Sequence, residues 1–191
     1  MAHDASSRSH AVRADLLAAL AGIFETLGYD GATLSRLAAA TSLSKSSLYH
    51  HFPGGKAEMA AVLLRDAAAE LERSAFARLS AAHLPAGERL AAFVDGFSDY
   101  VHEGERRCLV AVLAHGSAAA EHGATVAGQF EAWSHRLAAT FEEAGYKPKR
   151  AERAAADLLT GLYGSLELAF LRRDPAVFRT QAKRLKKRLP A

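Results

Sequence analysis

The sequence predicts an all-α protein, and three observations carry that prediction. Alanine and leucine are abundant, proline is scarce at 5 residues in 191, and β-branched runs are few. Apolar residues recur at helical rather than alternating spacing. A chain of 191 residues suits one domain of ordinary size or a small module joined to a larger one, and either buries a sizeable core.

Taken in order, the first helix is expected over 8–27, because Val12, Leu16, Leu20, Ile23, Phe24 and Leu27 share one face and Gly28 supplies a C-terminal stop. The segment "YDGAT" breaks the chain, and Thr33 caps a short helix over 34–40 that turns Leu34, Leu37 and Ala38 inward. A "TSLS" turn follows, and Ser44 caps a third helix of about two turns through Phe52. Leu43, Leu48 and Phe52 then close a small core against the first helix. Pro53, Gly54 and Gly55 end the third helix, and a long helix restarts near Lys56 and runs to about Arg78. Further helices are expected over 86–103, 106–116, 121–145, 148–172 and 175–188, the last opened by Asp174 as cap and Pro175 at its first position.

Composition narrows the function classes. No run of about 18 uncharged apolar residues is available to span a bilayer, and "MAHDASSRSHAVR" lacks the apolar core of a secretory signal. A cytoplasmic protein with no membrane partner is expected. The single cysteine, Cys108, has no intramolecular disulfide partner, in keeping with a reducing compartment. The formal charge of +3 is mild, but 8 of the 24 Lys and Arg residues fall within 172–188, so the basic excess is local. A charge run there complements the helix dipole and faces solvent.

Three short helices, the third joined to the second by a four-residue turn, form a helix-turn-helix pattern, which lays its second helix in the DNA major groove. With Leu43, Leu48 and Phe52 facing the core, Lys45, Ser46, Tyr49 and His50 lie on the opposite side. Ser47 and Tyr49 can donate to phosphates, and Lys56 with the positive end of its helix can hold one phosphate. The expected nucleic-acid surface is therefore Thr33, Ser35, Ser44, Lys45, Ser46, Ser47, Tyr49, His50, His51 and Lys56. The competing pattern-level reading is a solvated loop between two core helices. A metal site at His50 and His51 is disfavoured, because adjacent helix positions diverge by about 100° and the segment holds no Cys or carboxylate ligand.

The stretch "TLSRLAAATSLSKSSLYHHFPGGKAEM" resembles the N-terminal domain of the TetR family of transcriptional repressors. The family pattern is met by Thr33, the Leu37-Ala38 pair, Ser44, Tyr49, Phe52 and Lys56, over roughly residues 10 to 60. The extra glycine before Lys56 is similar to the LmrA/YxaF-like branch. Two departures stand out: Ser42 occupies the position of a usual turn glycine, and the recognition helix carries one cation. The resemblance implies a helix-turn-helix DNA-binding domain over 1–55 and a helical effector-binding and dimerisation domain over 56–191. Its implied partners are double-stranded DNA at a palindromic operator, a small-molecule effector and a second copy of the chain, with no cofactor and no metal.

In the second half, Phe93, Phe97 and Tyr100 form one aromatic stripe, and Phe130, Trp133, Leu137 and Phe141 another. Facing one another, they would wall an apolar cavity; with Cys108 and Tyr163 they make up the expected effector site. Most such residues are ordinary core by base expectation. Cys108 follows Arg106 and Arg107, which can activate a thiol, so a redox-responsive repressor is the alternative; a free cysteine beside "LVAVL" is more often a small core hydrophobe. Ala154, Leu158, Gly161 and Ser165, with Phe178, Ala182 and Leu185, are expected to build a dimer seam of two helices from each chain. Service in the monomer core is the alternative for both stripes. An enzyme is the competing class, but the chain shows no Gly-rich phosphate loop, no metal-spaced ligand set and no compelling Ser-His-Asp order.

Overall fold

The computed structural model describes residues 2–190 and, within them, side chains from Arg13 onward. Among the described residues there are nine α-helices and no strand. In chain order they are α1 (Ala2–Gly31), α2 (Leu34–Thr41), α3 (Lys45–His51), α4 (Gly55–Ser74), α5 (Ala86–Tyr100), α6 (Leu109–Val112), α7 (Ala119–Glu143), α8 (Pro148–Arg172) and α9 (Ala176–Lys186), with short 3-10 turns at Phe76–Ser80, His102–Gly104 and Gly116–Ala118. The chain divides into two compact units, one made of the residues up to Ala67 with Leu109–Ala124, the other of Ala68–Cys108 with Thr125 to the C-terminus.

In the first unit, Leu20 and Phe24 of α1, Leu37 of α2, Leu48 of α3, Phe52, and Met59 and Leu63 of α4 are all buried. The α6 turn and the 116–118 turn also pack on α1. The helix boundaries follow local chemistry. The Thr33 hydroxyl accepts from the Arg36 N–H, and the Ser44 hydroxyl accepts from the Ser47 N–H at 3.0 Å, so each short helix has a side-chain cap. Ser42 ends α2 in the left-handed region at φ 56, its N–H directed to Ala38 and Ala39.

Three expectations for this unit change. The first helix begins well before residue 8, and Gly28 (φ 69) interrupts it without ending it, one more turn following to Gly31. That turn is held by the Arg36 side chain donating to the Gly31 carbonyl. Leu27 is 39 % exposed instead of facing the core; Val12 lies outside the residues whose side chains are described.

In the second unit, α5, α7, α8 and α9 enclose Leu90, Phe93, Phe97, Trp133, Leu137, Leu162, Leu166 and Phe178. Pro148 starts α8 as expected, and the Asp174 carboxylate accepts from the Ala176 N–H to start α9. By length and a hydropathy of 1.2, α8 could cross a membrane, but it carries Asp157 and Glu167 and buries Leu158, Leu162 and Leu166 within the fold.

The helices expected over 86–103 and 106–116 do not form as such. Helix α5 stops at Tyr100 because His102 (φ 47), Glu103 (φ 55) and Gly104 (φ 93) reverse the chain in the left-handed region. Gly104 meets the Phe178 ring there, where a Cβ would lie 2.7 Å from the Phe178 Cβ. Only one α-helical turn then forms, at Leu109–Val112, before Gly116 (φ 66) breaks the chain again. Helix α4 ends at Ser74 rather than Arg78, tightening into the 76–80 turn. Helices α7 and α9 end at Glu143 and Lys186, two residues short of expectation.

Candidate functional site

The residues expected at the nucleic-acid surface all lie in the first unit, on α3 and the segments that flank it in sequence. Leu48 (0 % exposed) and Phe52 (1 %) anchor α3 in the core. The same helix therefore leaves Lys45, Ser46, Tyr49, His50 and His51 exposed, as are Thr33, Ser35 and Ser44 nearby in sequence, with Ser47 half-buried. The Ser44 hydroxyl lies 2.8 Å from both the Ser46 and the Ser47 hydroxyls, so the three serines share hydrogens at the start of the recognition helix. Tyr49 is 46 % exposed, and one edge of its ring lies 3.2 Å from where a Cβ on Gly55 would stand. Gly55 (φ 64) therefore serves two ends, opening α4 and leaving room for the tyrosine.

Lys56 is more committed than its sequence position suggested. Its ammonium donates to the Tyr29 carbonyl at 3.1 Å and sits 4.1 Å from the Tyr29 ring centroid, tying the start of α4 to the end of α1. An ammonium has three donors, so a phosphate oxygen can be added without releasing Tyr29.

Sequence reasoning missed the second tie at this point. The Asp30 carboxylate accepts from the Ser117 N–H at 3.0 Å and from the Ser117 hydroxyl, which holds the 116–118 turn against the end of α1. These hydrogen bonds, the side-chain one foremost, push the Asp30 pKa below its ordinary value, with Lys56 acting in the same direction. A Cβ on Gly116 would overlap an Asp30 oxygen, so only glycine fits the turn. Burial, with Glu121 and Asp30 nearby, raises the Tyr29 pKa. The sequence signal was the Asp in "YDGAT", read only as a chain break.

In the second unit the two aromatic stripes do not face each other across a gap. Ring centroids run Phe76 to Trp133 at 4.5 Å, Trp133 to Phe130 at 5.3 Å, Phe130 to Tyr163 at 5.1 Å, Tyr163 to Phe97 at 5.1 Å and Phe97 to Tyr100 at 6.5 Å. Phe76 and Tyr163 bridge α5 and α7, and Phe76 had no place in the sequence reading. Phe93, its ring 4.8 Å from Phe76, is buried, as are Leu137 and Phe141, while Phe130 and Tyr163 are half-buried. The Cys108 sulfur lies 3.6 Å from the Tyr163 hydroxyl. Its neighbouring guanidiniums are engaged with carboxylates, Arg106 with Glu70 at 3.0 Å and Arg107 with Glu167 at 2.9 Å.

The residues expected in a dimer seam lie on α8 and α9, which pack on one another within the chain. Leu158, Ser165, Phe178 and Ala182 are buried, and Ala154 and Leu185 are half-buried. A Cβ on Gly161 would stand 3.0 Å from both terminal carbons of Leu185. Helices α8 and α9 also carry an open groove of about 520 Å³ lined by Gly161, Ser165, Leu168, Val177, Gln181 and Arg184, among others, so two of the expected seam residues border it. Leu168 (52 %) and Leu171 (69 %) are exposed on α8.

Comparison with known proteins places both halves. Residues 16–63 match the family of bacterial regulatory proteins, tetR family, and residues 86–184, just over half of the chain, match the transcriptional regulator LmrA/YxaF-like C-terminal domain. No curated protein sequence matches. The fold is similar to that of a TetR transcriptional regulator from Legionella pneumophila (TM-score 0.74, 18 % identity, 92 % of this chain and 95 % of that one). It is also similar to a TetR-family regulator from Agrobacterium tumefaciens (0.74, 19 %, 95 % and 99 %), and to AibR solved with isovaleryl coenzyme A and operator DNA (0.65, 18 %, 94 % and 97 %). The chain therefore belongs to the TetR family of DNA-binding transcriptional regulators, which are not enzymes, and its C-terminal domain is of the LmrA/YxaF-like type.

Proposed function

We propose that the protein is a repressor that binds a palindromic operator as a homodimer and is released by a mainly apolar small molecule. The observation that carries this reading is the recognition helix: capped by Ser44, pinned by Leu48 and Phe52, and exposing Lys45, Ser46, Tyr49 and His50 together. Those four side chains read bases, with Ser35 from α2 assisting; Ser44, Ser47, His51 and Thr33 lie beside the phosphate backbone, and Lys56 binds a phosphate while holding Tyr29. One cation on the recognition helix gives weak attraction for DNA, and two half-sites add their contacts. In a dimer the two recognition helices stand about 34 to 36 Å apart on B-DNA. The DNA-binding part is residues 1–55 and the effector and dimer part 56–191, acting in the cytoplasm.

Dimerisation is assigned to the face of α8 and α9 that carries the open groove, where Gly161 and Ser165 stand beside Leu168. Leu168→Arg on that face leaves a folded monomer with little operator affinity; sedimentation that still shows a dimer puts the interface elsewhere. The effector part is supported by the run of rings from Phe76 to Tyr100, and by AibR, a similarly folded protein solved with both a small molecule and operator DNA. Release acts through α4, which carries residues of both units. A coupling of about 1 to 3 kcal/mol lowers operator affinity roughly 5- to 150-fold, and operator must weaken effector binding by the same factor. Titration against a selected operator and a scrambled duplex is the test. Lys45→Ala relaxes base preference, whereas Lys56→Ala weakens both duplexes alike and flattens the salt dependence. Equal losses on both duplexes for Lys45→Ala would remove it from base readout. The redox alternative forecasts instead that peroxide releases DNA and that Cys108→Ser abolishes the response; a thiol 2 % exposed favours it less.

A further inference from the structure

The positive charge of the chain does not lie with its recognition helix. The first unit, which holds α3, carries 6 Lys and Arg against 7 Asp and Glu, a net −1. The segment 172–188 carries 8 against 1, a net +7, and the rest of the chain sums to −4. Sequence-independent affinity for DNA comes from cations that displace counterions from phosphates, and the first unit has no excess of them.

Helix α9 sets part of this charge out along one flank. Phe178 and Ala182 turn into the core, and Val177, Gln181 and Arg184 line the open groove. Arg179, Lys183 and Lys187 follow at intervals of four residues, Lys187 capping the helix with a backbone that is still helical. At 1.5 Å and about 100° per residue they stand about 6 Å apart along the axis and within about 80° of its circumference, on the flank away from the groove. Lys183 and Lys187 are exposed and Arg179 is half-buried. None of the three makes an ion pair or a side-chain hydrogen bond among the described residues, whereas Lys186 beside them is held by Asp95 of α5 at 2.7 Å. Like charges at this spacing repel one another. The helix dipole favours cations in the last turn, but it opposes Arg179 in the first.

We propose that the flank of Arg179, Lys183 and Lys187 is a second DNA-binding surface, which holds the phosphate backbone of duplex DNA without regard to sequence, separately from base reading by α3. An anionic membrane fits less well, because a helix that lies on lipid inserts an apolar face and the apolar face of α9 is buried in the fold.

Fluorescence anisotropy of the full-length protein on a scrambled duplex, over a series of salt concentrations, tests the proposal. Arg179→Gln/Lys183→Gln/Lys187→Gln lowers the slope of log affinity against log salt by about 2 to 3, and at low salt it weakens scrambled-duplex binding by at least about 10-fold. The operator-to-scrambled affinity ratio rises in this variant, whereas Lys45→Ala lowers it. Lys147→Gln/Lys149→Gln/Arg153→Gln removes the same charge from exposed positions around the start of α8 and leaves the slope in place. An unchanged slope in the α9 variant overturns the proposal, and so does an equal fall in the α8 variant, which would assign the effect to net charge alone. A melting temperature of the α9 variant clearly below the wild type also overturns it, since the cations would then serve the fold. Wild-type protein that binds phosphatidylserine vesicles but no scrambled duplex at low salt gives the flank to a membrane instead. Wild-type protein that binds every duplex alike, with that binding lost in the α9 variant, supports the surface and refutes operator reading by α3.

Discussion

Replacing Gly96 by alanine sets two opposing effects against each other. Gly96 lies in α5, where the end of α4 comes close. A Cβ there would overlap the Ser74 carbonyl oxygen and stand 2.7 Å from its carbon and 2.8 Å from Arg78 Nε, where ordinary contact begins at 3.4 Å. That carbonyl is itself held by Arg78, which donates to it at 2.6 Å. The nearest colliding atoms are therefore helix-end backbone in a fixed hydrogen bond, and more than an ångström must be found by moving one helix. Overpacking of this kind costs about 3 to 4 kcal/mol, and the helix propensity of alanine over glycine returns about 1 kcal/mol. A net loss of about 2 to 3 kcal/mol lowers the melting temperature by about 4 to 12 °C for a chain of this size. Gly128 in α7 is the matched control, since nothing lies within 4 Å of its Cβ position; Gly128→Ala is expected to raise stability by about 0.5 to 1 kcal/mol. Thermal unfolding followed by circular dichroism, at one protein concentration, measures both. If Gly96→Ala melts at or above the wild type, the close approach is not a structural constraint.

Other outcomes follow from the first unit. Ser42→Gly relieves a left-handed L-residue at about 1 to 2 kcal/mol against the extra chain entropy of glycine, about 0.5 to 1 kcal/mol; the expected rise of a few degrees is read from the same melting curves, with operator sequence preference unchanged. Because the Asp30 pKa is lowered in the folded protein, its contribution to stability is present above the ordinary carboxylate value and is lost as pH falls through the folded value. Asp30→Asn should melt below the wild type at pH 7, with the difference closing in acid below about pH 4; a difference that stays constant from pH 7 to 3 removes the role given to the carboxylate. Gly116→Ala is expected to break the same tie and to lower the melting temperature at least as much as Asp30→Asn, whereas equal stability with the wild type would show that the turn can shift.

The parts of the fold that were legible in the sequence are those decided by neighbours along the chain. Thr33, Ser44 and Asp174 act within three residues of themselves, and each caps the helix expected of it. Ser42 takes the left-handed turn its position demanded. The exposed side of α3 followed from Leu48 and Phe52 alone. What was not legible depends on contacts far apart in sequence. Lys56 meets a carbonyl 27 residues away and Asp30 a turn 87 residues away, and no local pattern marks either meeting. Periodicity on α8 and α9 marks a face to be covered without reporting what covers it; Gly161 meets Leu185 of the neighbouring helix and, with Ser165, also borders the open groove. The broken helix over 106–116 failed for a related reason, since Leu109, Val110 and Val112 suit a helix while the reversals at Gly104 and Gly116 stand against Phe178 and Asp30.

The reversal after α5 also has a bearing on how such a chain can drift. His102 and Glu103 are exposed L-residues held in the left-handed region, each costing about 1 to 2 kcal/mol there. Any lineage that exchanges Glu103 for glycine or asparagine gains stability without touching the core. Gly104, one position on, has no such latitude, because every side chain placed there meets Phe178. Two adjacent positions with the same backbone handedness therefore stand at opposite ends of substitutional tolerance: one free to vary towards less strain, the other fixed by an aromatic ring 74 residues away in α9.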